Sequence, residues 1–170
     1  MIVVTGSPGT GKHSVSDVLS GMLGLPVLDI NGIASGAGLA GPGGVDTDLL
    51  RGQVRGRDGI AVGHLAPYVV DDPEAAVILR RSPYELERVY GGRGYDRAKI
   101  SENVAAEILG VVAYEALSRY GEAAVQVDST GRTAQETAEA AGRCMDGAPG
   151  DEVDWLGMVH EAGDIGRFFA

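Results

Sequence analysis

The sequence predicts an α/β fold in which a five-stranded parallel sheet is covered by helices on both faces. Five short apolar segments alternate with segments of helical periodicity, which is the pattern of strands joined by crossover helices. The segments at residues 59–62 and 75–79 are continuously apolar, as is typical of parallel strands buried on both faces. A glycine-rich turn follows the first apolar segment, at the edge where open α/β sheets bind ligands.

The first strand is predicted at residues 2–4, and the first helix at residues 12–23, ending at Gly24. A second strand at residues 26–29 ends in Asp29, whose carboxylate we expect at the ligand-binding edge. The apolar face of the first helix is predicted to comprise Val15, Val18, Leu19, Met22 and Leu23.

Residues 31–44 are rich in glycine and alanine, so we expect them to make a poor rigid element. They are either a flexible surface connection or a mobile segment that closes over a substrate, and their length favours the second. Either Asp46 or Asp48 would cap a helix that runs to about Arg55.

Two later helices have start signals in the sequence. Ser82, Pro83 and Glu85 combine a cap, a proline at the first helical position and a glutamate three residues after the cap. Thr133 and Glu136 repeat the capping-box spacing for the last long helix.

Between them, a basic and polar insertion at residues 93–99 precedes a long helix. That helix is predicted to begin at Ser101 and to end near Tyr120, and the fifth strand follows at residues 123–127. Its inward-facing residues are predicted to be Val104, Ile108, Leu109, Val112 and Leu117.

The last long helix is predicted to end near Met145, and an acidic tail over residues 146–170 follows it. Residues 154–156 are expected to pack back as a short helix. Phe168 and Phe169 are expected in a frayed end, because chain ends are often poorly ordered.

The composition points to one globular domain over residues 1–170, with a net charge of −10 and a single cysteine, Cys144. The negative charge argues against non-specific binding to nucleic acid, and it suits either a basic protein partner or plain solubility. We expect no internal disulfide, a cytoplasmic location, no signal peptide and no membrane span. Cys144 is expected to pack in the core.

The glycine-rich turn has the spacing G-x-x-x-x-G-K of a phosphate-binding loop, with Gly6, Gly11 and Lys12 at its fixed positions. Glycines let the backbone turn tightly and aim successive N–H groups into one concavity, which binds anions. The helix dipole and the Lys12 ammonium add positive charge. A chance glycine-rich turn is the alternative, and the order of strand, loop and helix argues against it. His13 stands where the motif has Ser or Thr, whose hydroxyl contacts Mg²⁺, and Ser14 follows.

Four stretches form a wider pattern: the phosphate-binding loop at 6–12, Gly63-His64-Leu65, the block at 93–108 and Val127-Asp128-Ser129-Thr130-Gly131. Together they resemble the atypical adenylate kinases of the isoenzyme 6 or CINAP type, including their archaeal members. The block Arg93-Gly94-Tyr95, followed by Glu102-Asn103 and Glu107-Ile108, is fairly specific. The resemblance covers roughly residues 1–142.

The resemblance implies a P-loop fold like that of the nucleoside-monophosphate kinases, and transfer of the γ-phosphoryl group of ATP to AMP, giving two ADP. A segment that binds the monophosphate would span residues 29–52, and a lid would span residues 92–102. The family is also implicated in late assembly of the small ribosomal subunit, through contact with a basic ribosomal protein. The ATP contacts implied by the resemblance are Gly9, Gly11, Lys12, His13, Ser14 and Arg93.

Lys12, Arg93 and His64 are predicted to be catalytic. Lys12 and the loop amides would hold the β- and γ-phosphates, and Arg93 would move in with the lid to stabilise charge on the transferring group. His64 either orients a water or a phosphate, or is a structural histidine. Arg97 is either a second lid cation or part of a solvated loop. The histidines show no metal-ligand spacing, so no protein metal ligand is assigned, and His160 is expected on the surface.

Mg²⁺ is expected to be weakly anchored, because two positions depart from the family's pattern. His13 replaces the hydroxyl, and Val62 stands where the family has an acidic residue. The ion would be held mainly by water and the nucleotide, or by Asp29 or Asp128.

Two functions are therefore predicted. One is an adenylate kinase with weakened metal anchoring, which uses ATP, AMP and Mg²⁺. The alternative is a nucleotide-binding ribosome assembly factor, an ATPase or a weak catalyst, that acts through a basic small-subunit ribosomal protein. Another small-molecule P-loop kinase is a third interpretation, which ranks below both.

Overall fold

The structure, a computed structural model, describes residues 1–41 and 44–169. Its main sheet has five parallel strands in the order β2-β5-β1-β6-β7, which confirms the predicted fold class. The strands of the described residues are β1 (Ile2–Gly6), β2 (Val27–Asp29), β3 (Ala40–Gly41), β4 (Gly44–Val45), β5 (Ile60–Val62), β6 (Ala75–Arg80) and β7 (Ala124–Asp128).

Helices pack on both faces of this sheet. Val3 of β1 belongs to an apolar cluster that includes Ala113, and the neighbouring Val4 belongs to a second cluster that includes Val15 and Ala138. Successive side chains of a strand point to opposite faces, so β1 is buried from both sides at the centre of the fold. The helices are α1 (Lys12–Leu23), α2 (Ile30–Gly36), α3 (Thr47–Val54), α4 (Ala66–Val69), α5 (Pro83–Gly92), α6 (Arg97–Ile108), α7 (Val111–Tyr120), α8 (Ala134–Met145), α9 (Trp155–Glu161) and α10 (Ile165–Phe168).

The first helix, α1, agrees with its predicted bounds and ends at Gly24, which has a positive φ of 69°. Val15 and Leu19 are buried as predicted. The prediction is wrong for Met22 and Leu23 in the last turn, because both side chains keep nearly half of their surface exposed.

The described part of the glycine-rich segment, residues 31–41 and 44, is more ordered than its composition predicts. The Asp29 carboxylate caps α2 by accepting a hydrogen bond from the backbone N–H of Asn31 at 3.1 Å. Ile30 and Ala34 are buried in the core, so tertiary packing outweighs the low helix propensity of the glycines. The short strands β3 and β4 pair antiparallel after it. Residues 42 and 43 of this segment, and residue 170 of the predicted tail, lie outside the described residues.

The predicted helix from Ser101 to Tyr120 is two helices, and it begins earlier. Asp96 caps α6 by accepting a hydrogen bond from Lys99 N–H at 2.8 Å, so Ser101 lies inside the helix. The helix breaks after Leu109, because Gly110 adopts a left-handed φ of 66° at the start of α7. Because of this break, Leu109 and Leu117 face solvent, although both were predicted to face inward.

The two predicted helix starts have different outcomes. Thr133 and Glu136 form the full capping box of α8. Ser82 precedes α5, with proline at the first position, but its side chain makes no capping hydrogen bond. Glu85 instead pairs with Arg81 at 2.8 Å.

The acidic tail packs against the domain over most of its length. Trp155 at the start of α9 is buried with Leu86 and Val104. Phe168 is 3% exposed and meets Tyr84 edge-to-face at 5.4 Å between ring centroids. The expectation of a frayed Phe168 is therefore wrong, because the ring packs in the apolar cluster formed by residues of α5 and α6.

Cys144 is partly buried on the apolar side of α8, as predicted. Across the described ranges, no helix combines the length and the apolar character that crossing a bilayer requires.

Candidate active site

The loop between β1 and α1 depends on its glycines. Gly11 has a φ of 91° at the start of α1, a conformation that other residues rarely adopt. A Cβ at Gly6 would collide with the backbone carbonyl of Leu79 on the neighbouring strand. The loop can therefore turn tightly while staying in contact with the sheet.

Lys12, the first residue of α1, is buried beneath the loop with 7% of its surface exposed. Its ammonium donates a hydrogen bond to the carbonyl of Ser7 at 2.9 Å. Burial lowers the Lys12 pKa to about 8; the charge of Glu107 raises it, and that of Arg93 lowers it further. An anion on the loop would favour the charged form of this group.

A cavity of about 260 Å³ opens above the loop and Lys12. All the predicted ATP and catalytic residues line it, although they come from distant parts of the chain, and Asn31 joins them. The lining residues are Pro8, Gly9, Gly11, Lys12, His13, Ser14, Asn31, His64 and Arg93. Their roles stay predictions, but the geometry brings the amides, the ammonium and the guanidinium to one place.

His64 follows β5 and reaches this cavity beside Asn31. The Asn31 side-chain amide lies 3.1 Å from His64 Nδ1. Burial and the positive charge of Lys12 both lower the His64 pKa, so the ring is neutral at neutral pH. When the Asn31 amide donates to Nδ1, the ring proton is on Nε2, which can donate to a ligand.

The carboxylates left open as Mg²⁺ ligands are placed differently. Asp29 lies next to the cavity, with Oδ1 3.7 Å from Nε2 of His13. Asp128 ends β7, and its Oδ1 accepts hydrogen bonds from both the N–H and the hydroxyl of Thr130. Neither carboxylate is among the residues that line the cavity, but Asp29 contacts His13, which does line it.

Of the two arginines in the predicted lid, Arg93 lies at the cavity and Arg97 does not. Arg93 follows the last turn of α5, whereas Arg97 lies in a different cavity beside Glu87 and Arg167. Tyr95 between them stacks on Tyr90, with ring centroids 5.7 Å apart and an interplanar angle of 11°.

The Tyr90 hydroxyl in turn donates a hydrogen bond to the carbonyl of Pro8 in the phosphate-binding loop. Burial and the charge of Glu107 raise the Tyr90 pKa, so the phenol keeps its proton. The connection between α5 and α6 is thereby held against the loop.

Glu107 belongs to the family-like block at 93–108, but no role was predicted for it. It is 2% exposed and accepts a hydrogen bond from the Ser7 hydroxyl at 2.5 Å. It also pairs with Arg80 at 2.8 Å. One signal was available: Glu107 shares the inward face of its helix with Val104 and Ile108, where a charged residue is out of place.

A second cavity, of about 450 Å³, lies on the other side of the loop, between α5 and the start of α8. Three arginines line it: Arg81, Arg88 and Arg132. Arg81 also donates a hydrogen bond to the carbonyl of Gly9 at 3.1 Å, which links this cavity to the phosphate-binding loop.

Comparison with solved structures supports the fold. A shikimate kinase from Bacteroides thetaiotaomicron superposes with a TM-score of 0.59 at 15% identity, over 85% of this chain and 97% of that one. A gluconokinase from Sinorhizobium meliloti superposes with a TM-score of 0.58 at 17% identity, over 85% and 90%. The fold is that of the P-loop kinases.

No model of a known protein family matches the chain. Individual archaeal proteins do, and each is named "Putative adenylate kinase". The protein of Pyrobaculum aerophilum is 34% identical over 95% of this chain and 88% of its own length. That of Thermococcus kodakarensis is 33% identical over 82% and 81%, and that of Methanothermobacter thermautotrophicus is 31% identical over 94% and 99%. The chain belongs to the family of these archaeal proteins.

Proposed function

We propose that the protein is an adenylate kinase, which transfers the γ-phosphoryl group of ATP to AMP and gives two ADP. The observation that carries the proposal is the 260 Å³ cavity in which Lys12, the loop amides, His64 and Arg93 face one another. Phosphoryl transfer depends mainly on positioning and charge stabilisation, and these groups supply both. The names of the archaeal relatives support the choice of acceptor.

The cavity lined by Arg81, Arg88 and Arg132 suits the nucleoside of ATP. Guanidinium groups stack on aromatic rings. Arg81 and Arg132 also line a smaller cavity beside this one, which is lined by Thr10 and Gly11 of the loop. A nucleotide with its base here would carry its phosphates along the loop to Lys12.

Each polar group of the site has a definite task in this reaction. The Lys12 ammonium and the loop N–H groups bind phosphate oxygens. The neutral His64 donates from Nε2 to a phosphate or to the acceptor. Arg93 neutralises charge on the transferring group, and closure of the short lid excludes water.

For Mg²⁺, the described part of the chain provides a single nearby carboxylate, that of Asp29, rather than a set of several protein ligands. Within residues 1–41 and 44–169, no group of three or more His, Cys, Asp or Glu side chains is placed to hold an ion. Mg²⁺ usually keeps several waters and binds through one or two carboxylates and the substrate phosphates, so Asp29 is a fitting anchor. When bound with ATP, Mg²⁺ would supply charge neutralisation on the phosphate oxygens.

A coupled assay of ADP formation, run across nucleoside monophosphates and Mg²⁺ concentrations, tests the proposal. We expect AMP-dependent ADP formation in the wild type and its loss in Lys12→Met. Arg57→Met is the control, because it also removes one positive charge but at the opposite edge of the sheet. No turnover at any Mg²⁺ concentration would reject the enzyme.

The acidic surface favours a second candidate, a nucleotide-binding ribosome assembly factor with weak or no transfer activity. A net charge of −10 suits a basic small-subunit ribosomal protein and disfavours non-specific contact with nucleic acid. This second candidate predicts that the protein binds ATP and forms a complex with such a ribosomal protein. The affinity of that complex should fall as the salt concentration rises. Robust AMP-dependent turnover without any such complex would argue against it.

A further inference from the structure

We propose that Glu107 is a positioning residue, which fixes the phosphate-binding loop through Ser7 and couples it to the C-terminal segment through Trp155. The inference rests on the proposed function in one respect, namely that the ligand of the loop is a nucleotide. It assigns to residues 155–168 a part in nucleotide binding, although they lie outside the cavity.

Glu107 and its partners, here called the Glu107 cluster, are Ser7, Arg80, Arg81 and Trp155. The Ser7 hydroxyl donates to Glu107 Oε2 at 2.5 Å. Three groups donate to Oε1: Arg80 Nε at 2.8 Å, the Arg81 backbone N–H at 3.1 Å, and Trp155 Nε1 at 3.2 Å. Each oxygen of the buried carboxylate is therefore hydrogen-bonded, which is what a buried charge requires.

Ser7 contacts both the Glu107 cluster and Lys12 of the proposed phosphate site. Its hydroxyl binds Glu107, while its carbonyl accepts the hydrogen bond from the Lys12 ammonium. A shift of Ser7 therefore moves the loop and the partner of Lys12 together. The position of Lys12 before nucleotide arrives depends on a carboxylate 95 residues further along the chain (residue 107 minus residue 12).

Trp155 ties the C-terminal segment to the same carboxylate. Its ring packs in the cluster of Leu86 and Tyr90, and the Tyr90 hydroxyl also reaches the loop at Pro8. The segment thus has two routes to the loop, through Glu107 to Ser7 and through Tyr90 to Pro8. A plain structural role would need neither, because Phe168 and Tyr84 already anchor the end of the segment.

Trp155 is the only tryptophan in the chain, so its fluorescence reports on one site. Titration of the full chain with ATP should change the Trp155 emission. Ser7→Ala leaves the Arg80 pair intact and should weaken ATP binding about tenfold, or about 1.4 kcal/mol. It should also reduce the emission change, while the route through Tyr90 and Pro8 remains. Tyr84→Phe is the matched control: it removes a hydrogen bond from Tyr84 to Asp164 that also anchors the segment, and it should keep both signals.

Trp155→Phe removes the indole N–H while keeping an aromatic ring. Calorimetry with ATP should show that the affinity falls severalfold. A separate thermal melt should show that the variant is folded at the temperature of the binding experiment. Glu107→Gln gives a further readout, because it removes a charge that raises the Lys12 pKa. Arg93 and His64 also face Lys12 and are left unchanged. The loss of ATP affinity at alkaline pH should therefore move to lower pH in this variant.

Two results would overturn the inference, and they differ. If the wild type gives no heat with ATP or ADP, the inference falls together with the proposed function. If the wild type binds ATP, but its emission is unchanged or both Ser7→Ala and Trp155→Phe bind within about twofold of it, the inference alone falls. Should Glu107→Gln fail to fold, those two variants decide the question.

Discussion

Oδ1 of Asp29 lies 3.7 Å from Nε2 of His13, and Asp29 is the register partner of Val62 across strands β2 and β5. The family resemblance implies an acidic residue at position 62. This chain has Val62 there and an acidic residue, Asp29, beside it on the neighbouring strand. His13 occupies the position next to Lys12 and contacts that acid.

Replacing His13 by threonine should strengthen the use of Mg²⁺. The change supplies a hydroxyl oxygen, which Mg²⁺ prefers, and frees the Asp29 carboxylate. We expect the Mg²⁺ concentration for half-maximal ADP formation to fall about fivefold, as for one added polar contact of about 1 kcal/mol. His160→Thr, at an exposed histidine, is the control and should behave as the wild type. An unchanged Mg²⁺ dependence in His13→Thr would contradict the prediction.

Val62 is the second position that departs from the family's pattern, but replacing it by aspartate is a poorer test of Mg²⁺ use. Val62 is fully buried in the apolar cluster that includes Val15 and Leu19. A carboxylate at this position would cost several kcal/mol of stability unless it found partners. Combined with His13→Thr, it should lower the midpoint of urea unfolding even where activity improves.

Arg93→Ala should impair catalysis far more than Arg97→Ala. Arg93 lines the cavity above Lys12, whereas Arg97 lines a separate one. Loss of one preorganised group that stabilises transition-state charge lowers kcat by about 10²-fold or more. Steady-state kinetics of both variants would check this, with Arg97→Ala expected within about tenfold of the wild type. Equal losses would mean that the lid rearranges to bring both guanidinium groups to the phosphates.

The lowered Lys12 pKa makes stability depend on pH in a definite direction. Burial lowers this pKa from 10.5 to about 8, so between these values the unfolded chain binds a proton that the folded chain does not. Relative to Lys12→Met, the free energy of unfolding of the wild type should therefore rise by about 3 kcal/mol from pH 8 to 10.5. Urea unfolding of both proteins over this range is the measurement. Parallel curves would show that Lys12 keeps an ordinary pKa.

Docking of the C-terminal segment should show in stability. Phe168→Ala removes a ring that is 3% exposed and should lower the free energy of unfolding by about 3–5 kcal/mol. Phe169→Ala changes the same residue type one position later, where the ring is 41% exposed, and should have a much smaller effect. If the two variants unfold alike, the segment does not dock in solution.

The features that the sequence predicts well are local. The main strands are continuous apolar segments, and the loop spacing from Gly6 to Lys12 lies within seven residues. The break at Gly110 was missed because the apolar periodicity continues across it, although the glycine marks the place. Helix α2 was missed because burial of Ile30, rather than local propensity, stabilises it.

The sequence predicts the site residues that belong to motifs, but not the residues that reach the site only through the fold. Lys12, His64 and Arg93 are predicted as site residues from their positions in known patterns; the structure places them around one cavity, and their roles stay predictions. No role was predicted for Glu107, because its partner Ser7 is 100 residues away and only the folded chain brings the two together. The docking of Phe168 on Tyr84 is non-local for the same reason.

Asp151, which precedes the C-terminal segment, pairs with the outer edge of β7. The N–H of Asp151 donates to the carbonyl of Gln126, and its carboxylate accepts from the N–H of Asp128. A strand from another molecule that approached β7 would find these backbone groups already engaged. Asp151 thus also hinders edge-to-edge association of two molecules through β7. A chain truncated before Asp151 should be prone to self-assembly.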